Sequence, residues 1–339
     1  MSENKDLLLS VKDLKVSFFT HAGEIKAVNG ISYDLHRGEV MGIVGESGSG
    51  KSVEAYSIMG LLQSPGKVVG GSITLEGEDV LSFSNEQLRK MRGNRISMIF
   101  QNPMTCLNPV YTIGNQIAEA LRAHKKVTSA EAKKSVIEIL KLVGIPNPEK
   151  RIKQYPHELS GGMRQRVMIA LALICEPDLL IADEPTTALD VTIQAQILEL
   201  MRDIQRKTHM AIIFITHNLG VVSEICDRVS VMYAGKIVET GKVDDIFYSP
   251  KHPYTKGLLK SMPRVDHEEY ERLVPIKGTP VDMLNPPEGC AFAPRCDQCM
   301  NICMKKNPPT MELENEHSVR CWRLAKDNVQ TGGDANESV

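Results

Sequence analysis

Apolar and polar positions alternate along the first part of the chain in the manner of half-buried β-strands. This alternation predicts strands over Leu7–Phe19 and Ala27–Leu35. A further β segment is predicted over Arg228–Glu239. Shorter and almost wholly apolar runs predict fully buried strands, and they cover Val40–Val44, Leu179–Asp183 and Ala211–Thr216.

Between the buried strands the apolar residues recur with the spacing of a helix. The predicted helices cover Val53–Leu62, Ile113–His124, Ser129–Val143, Gly161–Leu173 and Thr192–Lys207. Strands that alternate with helices predict an α/β fold with parallel strands. The mostly helical block, about residues 105–173, is expected to form an inserted subdomain.

The composition changes near Pro250, where the main domain, residues 1–250, is predicted to end. The next segment, residues 251–324, is rich in proline and has little periodicity, which predicts a loop-rich extension. A segment of this kind has a small core and needs a stabilising crosslink, which the cysteines of this segment could supply. The last residues, 325–339, are polar and are expected to be disordered.

The chain has 339 residues, of which 42 are acidic and 40 are basic, so its formal charge is −2. This balance argues against a nucleic-acid partner, which would need clustered Lys and Arg. No apolar run approaches the ~18 residues of a membrane-spanning helix, and the N-terminus lacks the pattern of a signal peptide. We expect a cytosolic protein that meets a membrane only through a partner.

Cysteines are concentrated near the C-terminus, where five of the eight lie. Cytosolic thiols stay reduced, so this cluster indicates a metal site before it indicates disulfides. The cysteines are Cys290, Cys296, Cys299, Cys303 and Cys321. Zinc would favour paired C-x2-C knuckles, but only Cys296 and Cys299 form one. Scattered thiolates can instead hold an iron–sulfur cluster, with zinc or reduced structural thiols as the alternatives.

A glycine-rich segment that follows strand Val40–Val44 matches the phosphate-binding pattern G-x-x-x-x-G-K-[ST]. It consists of Gly45, Glu46, Ser47, Gly48, Ser49, Gly50, Lys51 and Ser52. The glycines let the backbone wrap phosphates, with N–H groups pointing inward at a helix N-terminus. Lys51 is predicted to pair with the β- and γ-phosphates of ATP, and Ser52 to supply a hydroxyl to Mg²⁺.

Two carboxylates, Asp183 and Glu184, end the buried strand Leu179–Asp183. Ligands of α/β sheets bind at the carboxyl edge of the strands, which is where these side chains lie. Asp183 is therefore predicted to hold Mg²⁺, and Glu184 to polarise the attacking water as a general base. A solvated strand end without function is the alternative for either residue alone.

A second helix start suited to an anion follows Leu159. Ser160 can cap the helix, while Gly161 and Gly162 let the backbone come close to a phosphate. One chain cannot easily bring two such sites to a single γ-phosphate. We therefore expect this segment to serve a nucleotide on another subunit.

In their order along the chain these motifs resemble the ATP-binding cassette of ABC transporters, over about residues 7–250. The remaining motifs of that family are matched as well: Gln101 resembles the Q-loop, residues 159–163 the signature, Ala188–Asp190 the D-loop and His217 the switch histidine. The resemblance implies a P-loop ABC ATPase fold, a mixed sheet with an antiparallel β part and an inserted helical subdomain.

The resemblance also implies roles for single residues. Gln101 would contact Mg²⁺ or the lytic water and face a membrane partner, and His217 would bind the γ-phosphate and position the water of Glu184. The adenine would stack on an aromatic residue before the phosphate-binding loop. Phe18 is the first candidate and Phe19 the second, with core packing as the alternative.

The longer strings around the signature and Asp183 are similar to the ATPase subunits of oligopeptide/dipeptide permeases, of the D type. The segment from His252 to Thr255 and the cysteine tail resemble the extension of that branch, to about residue 323. Relatives with this tail imply a [4Fe–4S] cluster, whose ligands here would be Cys290, Cys296, Cys303 and Cys321, with Cys299 spare.

This branch implies an importer at the cytoplasmic face of the cell membrane. Its parts would be two transmembrane permease subunits, an extracellular peptide-binding protein and a second ATP-binding subunit, a non-identical F-type homologue. Other cargoes stay open, namely a nickel complex, a glutathione-like molecule or a sugar. A soluble ABC ATPase outside transport is the alternative from another class, although such proteins usually carry two cassettes in one chain.

Overall fold

The computed structural model of the protein describes residues 6–101, 106–187, 189–262 and 275–325. The strands are β1 Leu7–Thr20, β2 Gly23–His36, β3 Val40–Val44, β4 Gly66–Leu75, β5 Glu78–Asp79, β6 Ile96–Ile99, β7 Leu179–Asp183, β8 Ala211–Thr216, β9 Arg228–Tyr233, β10 Lys236–Lys242, β11 Met311–Glu312 and β12 Ser318–Val319. The α-helices are α1 Lys51–Ile58, α2 Asn85–Met91, α3 Ile113–His124, α4 Ser129–Leu142, α5 Pro148–Arg151, α6 Gly161–Leu173, α7 Val191–Thr208, α8 Leu219–Ile225, α9 Val243–Tyr248, α10 Pro253–Lys260 and α11 Asn301–Lys305.

The N-terminal part forms an antiparallel sheet with the strand order β2-β1-β4-β5. The predicted strands of the first 35 residues are confirmed, and β2 begins at Gly23, four residues before its predicted start. Strand β4 was not predicted from the sequence. This strand contains Gly66, Gly70 and Gly71, and glycines interrupt the alternation of side chains by which a strand is recognised.

The second sheet has the order β11-β12-β10-β9-β3-β8-β7-β6, and its strands from β9 to β6 are parallel. All residues of β3, β7 and β8 are buried, as their apolar runs predict. Because β3, β8 and β7 are neighbours, their carboxyl ends meet at one edge of the sheet. This edge is where a ligand site of an α/β sheet is expected.

The β segment predicted over Arg228–Glu239 is confirmed, and it is a hairpin of β9 and β10 that extends to Lys242. Its turn contains Ala234 with φ 48° and Gly235 with φ 74°. Two consecutive left-handed residues build the tight turns that join antiparallel strands. Ala-Gly lacks the Asn or Asp that usually marks such a turn, which is why the sequence did not reveal it.

The inserted block is helical, with α3, α4 and α6 sharing one apolar core. Helix α3 has the predicted bounds, and α4 ends one residue earlier than predicted. Side chains of Thr112, Thr128 and Ser160 accept hydrogen bonds at the N-termini of these helices, which stabilises each start. Within the residues that the structure covers, no helix is both long and apolar enough to cross a membrane.

The extension after residue 250 is built of short elements, as its composition predicts, but it is joined to the central sheet. Strand β12 pairs with β10, placing Val319 opposite Glu239. Tyr254 and Phe292 also share an apolar core with Tyr233 of β9. A boundary at residue 250 therefore stays a prediction, and the tail predicted to be disordered lies outside the described residues after Ala325.

Candidate functional site

The glycine-rich loop leaves β3 and enters α1, as a phosphate-binding loop requires. A Cβ atom at Gly45 would lie 2.2 Å from the carbonyl oxygen of Met232, and one at Gly50 would lie 2.3 Å from that of Ala27. Both glycines have positive φ, 157° and 101°. Only glycine therefore fits at these two positions.

Lys51 is buried within this loop. Its Nζ donates to the carbonyl oxygens of Gly45 at 2.8 Å and Glu46 at 2.9 Å. Burial lowers the pKa of Lys51, although nearby carboxylates oppose the shift. Helix α1 begins without a side-chain cap, so its first N–H groups can bind an anion.

A hydroxyl and a carboxylate meet at the start of α1. Ser52 Oγ donates to Asp183 Oδ1 at 3.0 Å, and Asp183 Oδ2 is buried with no hydrogen-bond partner in the described part of the chain. Burial raises the pKa of Asp183, against the hydrogen bond from Ser52. Mg²⁺ prefers oxygen ligands of these kinds. The unpartnered carboxylate oxygen and the hydroxyl therefore fit a magnesium ion.

Glu184 stands beside this pair, surrounded by polar side chains. Its Oε2 accepts from Gln101 Nε2 and from Thr187 Oγ1, both at 2.9 Å, and its Oε1 lies 3.2 Å from His217 Nδ1. Burial raises the pKa of Glu184, but the hydrogen bonds from His217 and Thr187 outweigh it, so the net shift is downward. The carboxylate is thus ionised and able to accept a proton.

The structure brings together Gln101, Glu184 and His217 from the ends of three parallel strands. Glu184 adopts φ 48°, a conformation that residues other than glycine seldom take and that often marks a functional site. Gln101 was predicted to contact Mg²⁺ or the lytic water, and its amide here binds Glu184. Thr187, whose hydroxyl also donates to Glu184, was not predicted as a site residue.

The signature segment has an exposed helix N-terminus of its own. Ser160 Oγ accepts from the backbone N–H of Met163 at 3.4 Å, as a cap does. A Cβ atom at Gly161 would meet nothing within 4 Å, whereas one at Gly162 would lie 2.9 Å from Ile193 Cγ2. Gly161 therefore faces open space, whereas Gly162 packs closely against Ile193 of α7.

The two candidate adenine-stacking residues differ in exposure. Phe18 is partly buried, and its ring would lie 2.8 Å from a Cβ atom at Gly66, so the ring packs on the backbone of β4. Phe19 is 49% exposed. The role of either ring in adenine binding stays a prediction. Ala188 of the predicted D-loop lies outside the described residues, while Asp190 caps α7 by accepting from the Ile193 N–H.

A contact between the loop and the extension was not predicted from the sequence. Both carboxylate oxygens of Glu46 accept from Arg295, at 2.6 and 3.0 Å, and the N–H of Glu46 donates to Tyr254 Oη at 2.9 Å. Arg295 is the last residue of the 3₁₀ helix Ala293–Arg295. Motif spacing cannot signal a contact between residues so distant in the chain.

Four cysteines of the extension line one pocket, and they are the four predicted to bind a cluster: Cys290, Cys296, Cys303 and Cys321. Cys299 is exposed instead. Among the residues described, no group of three or more His, Cys, Asp or Glu side chains is arranged to hold a metal ion. Burial raises the pKa of Cys296 to about 11.

Two protein families match the chain in succession. Residues 28–187 match the ABC transporter family, and residues 238–303 match the oligopeptide/dipeptide transporter C-terminal region. The second match begins within β10 and ends at Cys303. It therefore includes the first three of the four cysteines that line the pocket.

Curated relatives are similar over nearly the whole chain. The dipeptide transport ATP-binding protein DppD of Bacillus subtilis is 57% identical over 93% of this chain and 94% of its own length. The oligopeptide transport ATP-binding protein OppD of the same organism is 56% identical, over 94% and 90%. OppD of Escherichia coli is 52% identical, over 95% and 94%.

Solved structures match the cassette part. A dimeric bacterial ABC transporter cassette, MJ0796, superposes with a TM-score of 0.63 at 25% identity, covering 70% of this chain and 99% of that one. The protein cbiO1 of Clostridium perfringens, part of the transporter complex cbiONQ, superposes with a TM-score of 0.62 at 30% identity, over 72% and 92%.

Proposed function

The chain belongs to the family of ABC transporter ATP-binding proteins with an oligopeptide/dipeptide transporter C-terminal region, and we propose that it is the ATP-hydrolysing subunit of a peptide importer. The observation that carries the proposal is the edge of the central sheet. There the buried Lys51, the Ser52–Asp183 pair and the ionised Glu184 lie together. Peptide is the proposed cargo because the relatives with this extension are named for dipeptide and oligopeptide transport.

The arrangement supports hydrolysis of the γ-phosphate of ATP. The first N–H groups of α1 and the Lys51 ammonium would hold the phosphates, while Ser52 and Asp183 would hold Mg²⁺, which when bound neutralises phosphate charge. Glu184 would accept a proton from the attacking water. His217 and Gln101, which now contact Glu184, would turn toward the γ-phosphate and the water once the nucleotide is bound.

The signature segment is proposed to act on the nucleotide of a second ATP-binding subunit. Ser160 is exposed, and a Cβ atom at Gly161 would meet no neighbour, so both are free to face another chain. The similar cassette MJ0796 was solved as a dimer. We propose a head-to-tail pair that closes on ATP, with a non-identical F-type homologue as the partner.

The remaining parts of the proposed importer are two transmembrane permease subunits and an extracellular peptide-binding protein, with this chain at the cytoplasmic face of the membrane. Val110 and Tyr111 of the helical block support a docking face, because they are 70% and 54% exposed. Exposed apolar side chains near each other often mark protein contacts. Closure of the ATPase pair would be transmitted through the segment after Gln101.

Reconstitution tests this proposal. The full chain is expressed with its candidate permeases and F-type homologue, and the purified assembly is placed in vesicles with the binding protein. Peptide should stimulate ATP hydrolysis and should enter the vesicles, and both activities should be lost with Glu184→Gln. Stimulation by a nickel complex, glutathione or a sugar instead of peptide would contradict the cargo. Failure to associate with any permease would favour a soluble ATPase.

We propose further that Cys290, Cys296, Cys303 and Cys321 hold a [4Fe–4S] cluster, with Zn²⁺ as the alternative. Their shared pocket supports this set, since four thiols converge there and Cys299 stays outside. Binding would deprotonate the thiols and draw them together. The cluster would stabilise the loop-rich extension, because ATP hydrolysis requires no electron transfer.

Purification without oxygen tests the cluster. The protein should be brown and contain matched amounts of iron and acid-labile sulfide. Cys303→Ser should remove the colour, whereas Cys299→Ser, a matched control at an exposed thiol, should keep it. Bound zinc without iron, or colour that depends on Cys299 and not on Cys303, would contradict the proposed ligands.

A further inference from the structure

Arg295 of the extension forms an ion pair with Glu46 of the phosphate-binding loop. Its guanidinium donates to both carboxylate oxygens, and the side chain is only 5% exposed. The Nε group donates to the carbonyl oxygen of Lys277 at 3.0 Å, and the guanidinium lies 5.8 Å from the ring centre of Tyr233. A bidentate ion pair with a guanidinium that is itself held in place fixes the position of the carboxylate.

Glu46 is consequently fixed at three points. Its side chain is held by Arg295, its N–H donates to Tyr254, and its carbonyl oxygen accepts from Lys51 Nζ at 2.9 Å. The last bond matters most, because Lys51 is the cation that meets the phosphates of ATP. Arg295 and Lys51 are thus linked through one residue, Glu46, whose side chain binds Arg295 and whose carbonyl oxygen binds Lys51.

Charge adds a second effect. An unpaired Glu46 carboxylate would stand in the loop that wraps the triphosphate, where like charges repel at short range. Arg295 neutralises that carboxylate and is itself nearly shielded from water. A neighbouring cavity is lined by Ser47 and Gly48 of the loop and by Pro280 and Val281 of the extension. The extension therefore borders the loop at Ser47 and Gly48 as well as at Glu46.

We propose that Arg295 is a positioning residue for ATP, which holds and neutralises Glu46 so that the phosphate-binding loop accepts the triphosphate. The proposal rests on the proposed function only in that the loop binds ATP. It makes nucleotide affinity depend on the extension as well as on the cassette. Cys296 is the next residue in the chain, so a structural change at the cysteine pocket would also displace Arg295 and alter the phosphate-binding loop.

A double-mutant cycle on the full chain tests this role, with the Kd for MgATP measured by calorimetry. Arg295→Ala should weaken ATP binding roughly ten- to hundredfold, because a charge-assisted pair is lost and its carboxylate is left unpaired. In a Glu46→Gln background the same change should alter the Kd by less than about threefold. Arg295→Lys keeps the charge but cannot form the bidentate pair, so its Kd for MgATP should lie between those of the wild type and Arg295→Ala.

The matched control is Arg320→Ala. Arg320 also joins the extension to the cassette, because its Nη2 donates to the carbonyl oxygen of Gly30, which is not a residue of the loop, while its Nε donates to Thr310 Oγ1 within the extension. The Arg320→Ala protein should bind ATP with the Kd of the wild type. The proposal is overturned if Arg320→Ala weakens binding equally, or if the Arg295→Ala effect persists beside Glu46→Gln, since either result indicates general support of the extension. A wild-type chain that does not bind ATP would overturn the proposed function as well.

Discussion

The carboxylate of Glu184 binds the side chains of Gln101, Thr187 and His217. Glu184→Gln keeps the shape of the side chain but removes its basic oxygen. Turnover should therefore fall about a hundredfold or more, while ATP binding persists and ATP-dependent pairs of subunits accumulate. Steady-state hydrolysis and size-exclusion chromatography measure the two effects.

Lys51→Ala is the comparison for this change. It removes the cation proposed to bind the phosphates and should weaken ATP binding itself. Hydrolysis at a near-normal rate in the Glu184→Gln protein would show that another group is the base.

Glu54 lies buried on α1, where its carboxyl group is paired with the hydroxyl of Tyr33. Burial raises its pKa to about 8, so the folded chain binds a proton that the unfolded chain releases above about pH 4.3. The free energy of unfolding should therefore decrease as pH rises from about 5 to 8, by up to ~1.4 kcal/mol per pH unit from this group.

Glu54→Gln removes that titration, and its stability curve should be flatter over the same pH range. Denaturant unfolding at several pH values measures the difference. Glu86→Gln, at an exposed glutamate paired with Lys90, should leave the slope unchanged. Equal slopes in the wild type and Glu54→Gln would show that Glu54 is already ionised in the folded chain.

At the scale of the element, the two glycines at the N-terminus of α6 differ in their surroundings. Gly162 faces Ile193 within its own chain, whereas a side chain at Gly161 would meet nothing. If the signature acts on the nucleotide of a second subunit, as proposed, Gly161→Asp places a carboxylate against that nucleotide with little strain in this chain. ATP binding to the single subunit should match the wild type, and ATP-dependent pairing should be blocked by repulsion.

Gly161→Asn is the matched control, since it has the same size without the charge. Light scattering with and without ATP, in a Glu184→Gln background, measures pairing. If Gly161→Asp forms pairs as readily as Gly161→Asn, the signature does not face a γ-phosphate. If it loses ATP binding as a single subunit, the signature acts within one chain.

Elements with a strong local pattern were predictable, and those defined by distant partners were not. The strands β3, β7 and β8 are short apolar runs, and α3 shows helical spacing and a threonine cap, so their sequences indicate them directly. The glycines of β4 obscure its alternation, and β12 has only two residues, Ser318 and Val319. Such a strand exists because β10 offers it an edge, which local sequence cannot reveal.

The candidate site divides in the same way. Asp183 and Glu184 stand at the end of β7, and Lys51 follows β3 through the glycine-rich loop. Parallel strands bring their carboxyl ends to one edge of the sheet. The pair of Glu46 and Arg295 spans 249 positions. It depends on how the extension folds back over the loop, and neither residue stands in a pattern that indicates the other.

For the whole molecule, the shared core of Tyr233, Tyr254 and Phe292 predicts that cassette and extension unfold together. The ring of Phe292 lies 5.3 Å from each of the two tyrosine rings and is 4% exposed. Phe292→Ala should destabilise the protein by about 3–5 kcal/mol. It should lower the melting temperature of both parts equally, since they share one transition.

Trp322 makes this measurable, because it is the chain's single tryptophan and lies in the extension. Its fluorescence and the far-UV circular dichroism, which is dominated by the cassette, should change at the same temperature. Ile302→Ala, at a 38% exposed position of the extension, should shift neither. A fluorescence transition well below the dichroism transition would show that the extension unfolds alone.

The pairing of β12 with β10 has a consequence for synthesis on the ribosome. Strand β10 is complete at Lys242, but the strand that covers its free edge begins only at Ser318. At the usual 5–20 residues per second the nascent chain carries an open sheet edge for roughly 4 to 15 s. Open edges template wrong pairing, so this interval is when the emerging protein most needs a chaperone, and a transcript cut short before residue 318 would release a chain whose edge never closes.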